Sequence, residues 1–89
     1  MPRREDRKFE PRLQRDFGSN LRAWRKFHGL TQEQLAEKLE LSARYLRTLE
    51  TGAGNITLLT MEKVAFALDE DPIEMLAGSH WDEAKDSDR

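Results

Sequence analysis

Arg44 and Arg47, in the stretch L-S-A-R-Y-L-R-T-L-E-T-G from Leu41 to Gly52, have the most to offer chemically. Each guanidinium is a planar fork of donors able to grip the paired acceptors O6 and N7 of a guanine edge. Ser42 can cap a helix here and Gly52 can end it. At about 100° per residue, Arg47, Thr51, Arg44 and Thr48 fall within an arc of roughly 140° from Ala43, while Tyr45, Leu46, Leu49 and Glu50 fill the opposite side. The outer arc is small or polar at every position, and Ala43 leaves room for close approach. The inner arc is apolar except for Glu50, and a carboxylate turned toward a core needs a partner because an unpaired buried charge is expensive. Arg25, one residue after an inward Trp24, is the candidate partner, reaching across in the paired geometry that arginine favours. Taken alone, the helix reads equally well as a solvated face with two arginines for solubility.

Other chemistry finds little support in the residue types. The chain has no cysteine, which excludes a disulfide framework and a thiolate metal site. Its two histidines, His28 and His80, are not spaced as ligands and have no nucleophile beside them. His28, near a helix C-terminus, is placed to complement the dipole. The expectation is a protein that is not an enzyme and has no catalytic residue, metal or cofactor. The formal charge of -2 conceals a gradient: residues 1–30 carry nine Lys or Arg against four Asp or Glu, and residues 69–89 carry two against eight. Partners meet patches and not averages, so the acidic total does not exclude a polyanion. No apolar run approaches the roughly 18 residues of a membrane span, and the charged opening lacks a signal-peptide centre. A cytoplasmic protein with no membrane partner is expected.

The elements that must position these residues are all helical. With 89 residues and 37% hydrophobic content the chain supports one small core. Its apolar residues recur at three and four, and nowhere alternate long enough for a strand. Leu13, Phe17, Leu21 and Trp24 line one face of a first helix, with Pro11 suited to its first turn and Gly29 placed to stop it near His28. Thr31 and Gln34 make a capping-box pattern for a second helix, about 31–40, that buries Leu35, Ala36 and Leu39. The third helix runs about 43–51. Thr57 can cap a fourth that buries Met61, Val64, Ala65 and Leu68, and Asp71-Pro72 starts a short fifth with Ile73, Leu76 and Met75 inward. Residues 1–10 read as a basic, flexible arm, 11–78 as the domain and 79–89 as an acidic, flexible tail.

A short helix, a tight turn and a third helix are the order in which a helix-turn-helix lays its second helix in the major groove. Through L-R-A-W-R-K-F-H-G-L-T-Q-E-Q-L-A-E-K-L-E-L-S-A-R-Y-L-R-T-L-E-T-G and G-A-G-N-I-T-L, the chain resembles the phage-repressor-like helix-turn-helix family, also called XRE or Cro, from about Phe17 to Leu76. The likeness extends to small stand-alone repressors and restriction-modification controller proteins. It implies an all-α, five-helix DNA-binding domain, a structural ion pair between Arg25 and Glu50, a phosphate contact at Gln32, and base-facing positions at Ala43, Arg44 and Thr48. Arg47 joins that base-reading set from its place on the wheel. Gln32 stands in a helix's first turn, where free N-H groups and the dipole favour a phosphate. Tyr45, Thr51, Asn55 and Thr57 are candidates for further phosphate bonds, although Thr57 reads equally as a helix cap and Asn55 as a loop residue satisfying its own turn.

Two departures stand out. The family's turn usually carries glycine where this chain has Glu40, and a left-handed glutamate costs roughly 1 kcal/mol. The loop from Gly52 to Ile56 has no Lys or Arg, leaving Arg3, Arg4, Arg7 and Lys8 as a candidate arm toward DNA. Leu59 and Phe66, seven apart on the fourth helix, lie off its inward face and are candidates for a homodimer interface; packing under Trp81 or the front segment is the alternative. The expected function is a sequence-specific, double-stranded DNA-binding transcriptional regulator, a small repressor or operon controller, reading a palindromic operator as a homodimer. The competing reading is an antitoxin-like or adaptor module that uses the same fold to bind a protein partner.

Overall fold

Hydroxyl caps and left-handed turns divide the chain where the sequence places them. The computed structural model describes residues 8–77. Among them are five helices and no strand: α1 (Arg12–Phe27), α2 (Gln32–Leu39), α3 (Ala43–Thr51), α4 (Leu58–Ala67) and α5 (Pro72–Ala77). Thr31 closes a full capping box with Gln34, Ser42 Oγ accepts from the Tyr45 N-H, and Thr57 Oγ1 accepts from the Thr60 N-H. Asp71 does the same for α5, accepting from the Ile73 N-H at 2.8 Å. At the end of α1, Arg25 and Lys26 complement the dipole, His28 follows the last turn, and Gly29 turns the chain at φ 69°. His28 Nδ1 lies 2.9 Å from the Trp24 carbonyl oxygen, which can only accept, so that nitrogen carries its hydrogen.

The core is made by one face of every helix. Phe17, Leu21 and Trp24 of α1 meet Leu35 and Ala36 of α2, Leu46 and Leu49 of α3, Met61, Val64 and Ala65 of α4 with Leu68 at its C-cap, and Met75 of α5. Leu21, Leu35 and Leu46 are wholly buried, each contributing about 1.5–3 kcal/mol by leaving water. Around this core α1 packs against α3 and α5, and α2 against α3 and α4. The closest approach is at Gly18, where a Cβ would stand 2.0 Å from the Leu49 carbonyl oxygen. A side chain there would part α1 from α3. Asn20, also buried, donates from Nδ2 to the Met75 carbonyl, and Trp24 Nε1 donates to Glu70 at 3.1 Å. These two bonds fasten α1 to the C-terminal part of the domain.

Two inward assignments are corrected. Leu13 is 61% exposed, because α3 ends beside Arg15 at Gly52 and no described element covers the first turn of α1. Ile73 is 67% exposed while Met75 is wholly buried. Two residues apart they differ by about 200° around a helix, so a six-residue α5 buries one and turns the other out. Arg3, Arg4, Arg7, His80, Trp81 and the acidic tail lie outside the described residues.

Candidate nucleic-acid interface

The α2-turn-α3 unit is held at both ends of its turn. Glu40 takes φ 58° and ψ 40°, the left-handed conformation that its sequence position implied, and its N-H bonds the Glu37 carbonyl at 3.1 Å. Leu41 then returns its N-H to the Ala36 carbonyl at 2.9 Å and packs against the core. The turn therefore accepts the strain of a non-glycine residue in exchange for a fixed angle between α2 and α3.

From the inside α3 is fixed by an ion pair. Arg25 Nε and Nη2 donate to Glu50 Oε2 and Oε1 at 2.7 and 3.0 Å, and Nη1 donates to the Leu30 carbonyl at 3.0 Å. Only 11% of the Arg25 side chain and 2% of the Glu50 side chain meet solvent. The fork-to-fork geometry answers the cost of burying both charges, and no buried side-chain N or O atom among the described residues lacks a partner. A third donor joins: Gln32 Nε2 reaches Glu50 Oε1 at 3.1 Å. This fixes the orientation of an amide at the start of α2 and leaves its second N-H free.

The outer face of α3 carries the other candidates. Arg44, Arg47 and Thr51 are exposed, Ala43, Tyr45 and Thr48 half-buried. Neither Arg44 nor Arg47 has a hydrogen bond or ion pair among the described residues, so both guanidiniums keep all their donors. Thr48 Oγ1 donates to the Arg44 carbonyl at 3.1 Å and Thr51 Oγ1 to the Thr48 carbonyl at 3.0 Å, leaving these hydroxyls with lone pairs to offer outward. Gly54 lies against Thr48, where a Cβ would meet Cγ2 at 2.5 Å. The loop after α3 thus shields Thr48 from behind. Asn55 is exposed with no side-chain bond to its own loop, whereas Thr57 gives its hydroxyl hydrogen to Thr60 Oγ1 at 3.0 Å in addition to capping α4.

The structure thus brings Arg25, Glu50 and Gln32 into one bonded group and sets Ala43, Arg44, Arg47, Thr48 and Thr51 on one exposed side of α3. Leu59 and Phe66 stand apart on α4, 60% and 87% exposed. Gly18 and Asn20 were not legible as positioning residues, since each acts on a neighbour distant in sequence, Leu49 and Met75. Among the described residues no three His, Cys, Asp or Glu side chains converge to hold a metal ion, and no helix is long and apolar enough to cross a membrane.

A capped short helix, a left-handed turn and a second helix with an open donor-bearing face define a helix-turn-helix domain of the DNA-binding type. The helix-turn-helix family model matches residues 21–75, and the chain belongs to that family. It is 49% identical over 51 residues to the immunity repressor protein of Bacillus phage phi105, a match covering 57% of this chain and 35% of the repressor. The chain therefore spans about a third of that relative's length. It is 37% identical over 59 residues to an uncharacterized helix-turn-helix-type transcriptional regulator, y4dJ, of Sinorhizobium fredii, covering 66% of this chain and 77% of that one. In three dimensions it is similar to the restriction-modification controller protein C.AhdI of Aeromonas hydrophila, with TM-score 0.63, 39% identity and coverage of 70% and 94% of the two chains.

Proposed function

We propose that the protein is a sequence-specific regulator that lays α3 in the major groove, with Ala43, Arg44 and Thr48 at base edges and Arg47 beside them on the same exposed arc. The observation that carries this reading is the unpaired Arg44 guanidinium on a helix whose opposite side is anchored by the Arg25–Glu50 pair. A fixed helix with free planar donors can discriminate guanine edges, each good bidentate contact being worth about 1–3 kcal/mol. Gln32 supplies a phosphate contact from the start of α2, with its amide already oriented by Glu50. Tyr45 and Thr51 on α3 and Asn55 in the loop after it supply further contacts to the DNA backbone. Thr57 serves the interface through its cap, by fixing where the loop carrying Asn55 ends.

The regulator acts as a homodimer joined through α4, because a single α3 reaches few bases and Leu59 and Phe66 leave an apolar stripe open to solvent. A two-fold pair presents two α3 helices to half-sites about 34 Å apart. The site of action is the DNA-containing cytoplasm. Selection of bound duplexes from a random pool tests the reading: it yields a two-fold repeat with a guanine at a fixed place in each half. A pool that stays random after repeated rounds rejects sequence-specific binding, and a selected site without two-fold symmetry rejects the dimer.

A further inference from the structure

Between α1, α2 and α3 lies an open cleft of about 650 Å³, bordered by Arg22, Gln32, Glu33, Arg47 and Thr51. Arg22 comes from α1, three residues and hence one helical turn before Arg25, and had no part in the reading of the sequence. Arg47 and Thr51, four apart on α3, share the row facing this cleft, whereas Arg44 and Thr48 form the adjoining row and are joined by the Thr48 hydroxyl. The exposed arc of α3 therefore divides lengthwise into two.

The cleft's charge and donors select its occupant. Arg25 and Glu50 also border it but neutralise each other within hydrogen-bond distance. Arg22 and Arg47 then outweigh the single carboxylate of Glu33, and neither arginine has a partner among the described residues. Gln32 adds the amide N-H that Glu50 does not use. An acceptor-only, negatively charged group fits this set; a guanine edge offers the acceptors O6 and N7 but no charge to answer two guanidiniums. In a helix-turn-helix the first of the two helices crosses the backbone while the second enters the groove. A cleft between the start of α2 and α3 accordingly faces a strand and not the base pairs.

Building on the DNA-binding reading above, we infer that Arg22 and Arg47 form a two-helix clamp on a DNA backbone phosphate, with Gln32 between them, so that Arg47 positions the protein and Arg44 reads the sequence. This clamp stands in for the basic residues missing from the loop after α3.

The test is the salt dependence of binding, followed by fluorescence anisotropy on the selected duplex and on a scrambled duplex of equal length, for wild type, Arg22→Gln, Arg47→Gln and the two lysine variants. In the two-fold complex each glutamine variant takes one cation from the clamp in each half-site and lowers the steepness of log K against log salt by up to about 1.8 on both duplexes, so that its affinity falls up to about 12-fold less than wild type between 50 and 200 mM salt. The preference for the selected duplex stays within about twofold, and lysine restores the slope. An unchanged slope for Arg22→Gln removes the clamp, and a collapsed preference for Arg47→Gln makes that residue a base reader. Titration with inorganic phosphate separates the two sources of phosphate: millimolar binding lost in Arg22→Gln, together with a salt slope on DNA that Arg22→Gln leaves unchanged, assigns the cleft to a free anion and overturns the backbone assignment. Because the scrambled duplex reports the clamp without selectivity, its failure is distinguishable from failure of sequence-specific reading.

Discussion

Arg25→Ala tests the structural half of this account most severely. The substitution removes both donors that face Glu50 and the one that satisfies the Leu30 carbonyl, and leaves a carboxylate only 2% exposed with Gln32 as its remaining partner. Breaking a buried pair from one side costs about 3–5 kcal/mol. Small domains have about 5–15 kcal/mol in total, and each kcal/mol shifts the midpoint by about 4–8 °C at this size, so the melting temperature falls by some 12–40 °C. Urea and thermal unfolding followed by circular dichroism measure this directly. The companion variant Arg25→Met/Glu50→Leu removes both charges together and stays within about 1 kcal/mol of wild type, since it spares both desolvation costs. A loss below about 1 kcal/mol for Arg25→Ala would mean that water reaches Glu50 and that the pair does not anchor α3. A double variant as unstable as the single one would refute the unpaired-charge argument.

Gly18→Ala gains some helix propensity but drives a methyl into the Leu49 carbonyl oxygen, 2.0 Å from the ideal Cβ, so a net loss of about 1–3 kcal/mol is expected in urea unfolding. Glu40→Gly relieves the left-handed backbone at φ 58° and raises stability by about 1 kcal/mol, read as an upward shift of the thermal midpoint. Phe66→Ser, at a side chain 87% exposed, leaves the folded monomer as stable as before but shifts sedimentation at tens of micromolar from dimer to monomer. Wild-type protein that sediments only as monomer under those conditions would remove the dimer from the proposal.

What the sequence made legible was local or periodic. Thr31, Ser42, Thr57 and Asp71 each cap the helix they precede, because a cap is decided within three residues. The wheel of α3 separated Leu46 and Leu49 from Arg44 and Arg47 correctly, and the lone charge on its inner arc pointed to Arg25. Illegible were matters of how far one helix runs past another. Leu13 has the spacing of a core residue, yet α3 stops short of it; Ile73 and Met75 compete for one face, and periodicity cannot choose between them in a helix of six. Gly18 looked like an unremarkable helix interior until α3 was placed against it. Gln32 was assigned to phosphate from its turn of α2, but nothing local showed that Glu50 would hold its amide. The arc of Arg44 and Arg47 read as a single face, and only the position of α1 and α2 reveals that a cleft adjoins one of the two.

The central claim is that Arg44 reads sequence while Gln32 only positions the protein. Anisotropy titrations of wild type, Arg44→Ala and Gln32→Ala against the selected duplex and a set carrying single base-pair changes address it directly. Arg44→Ala costs about 1–3 kcal/mol on the selected duplex and loses its preference at one base pair in each half-site, whereas Gln32→Ala weakens every duplex alike. Equal losses on every duplex for Arg44→Ala would contradict the account.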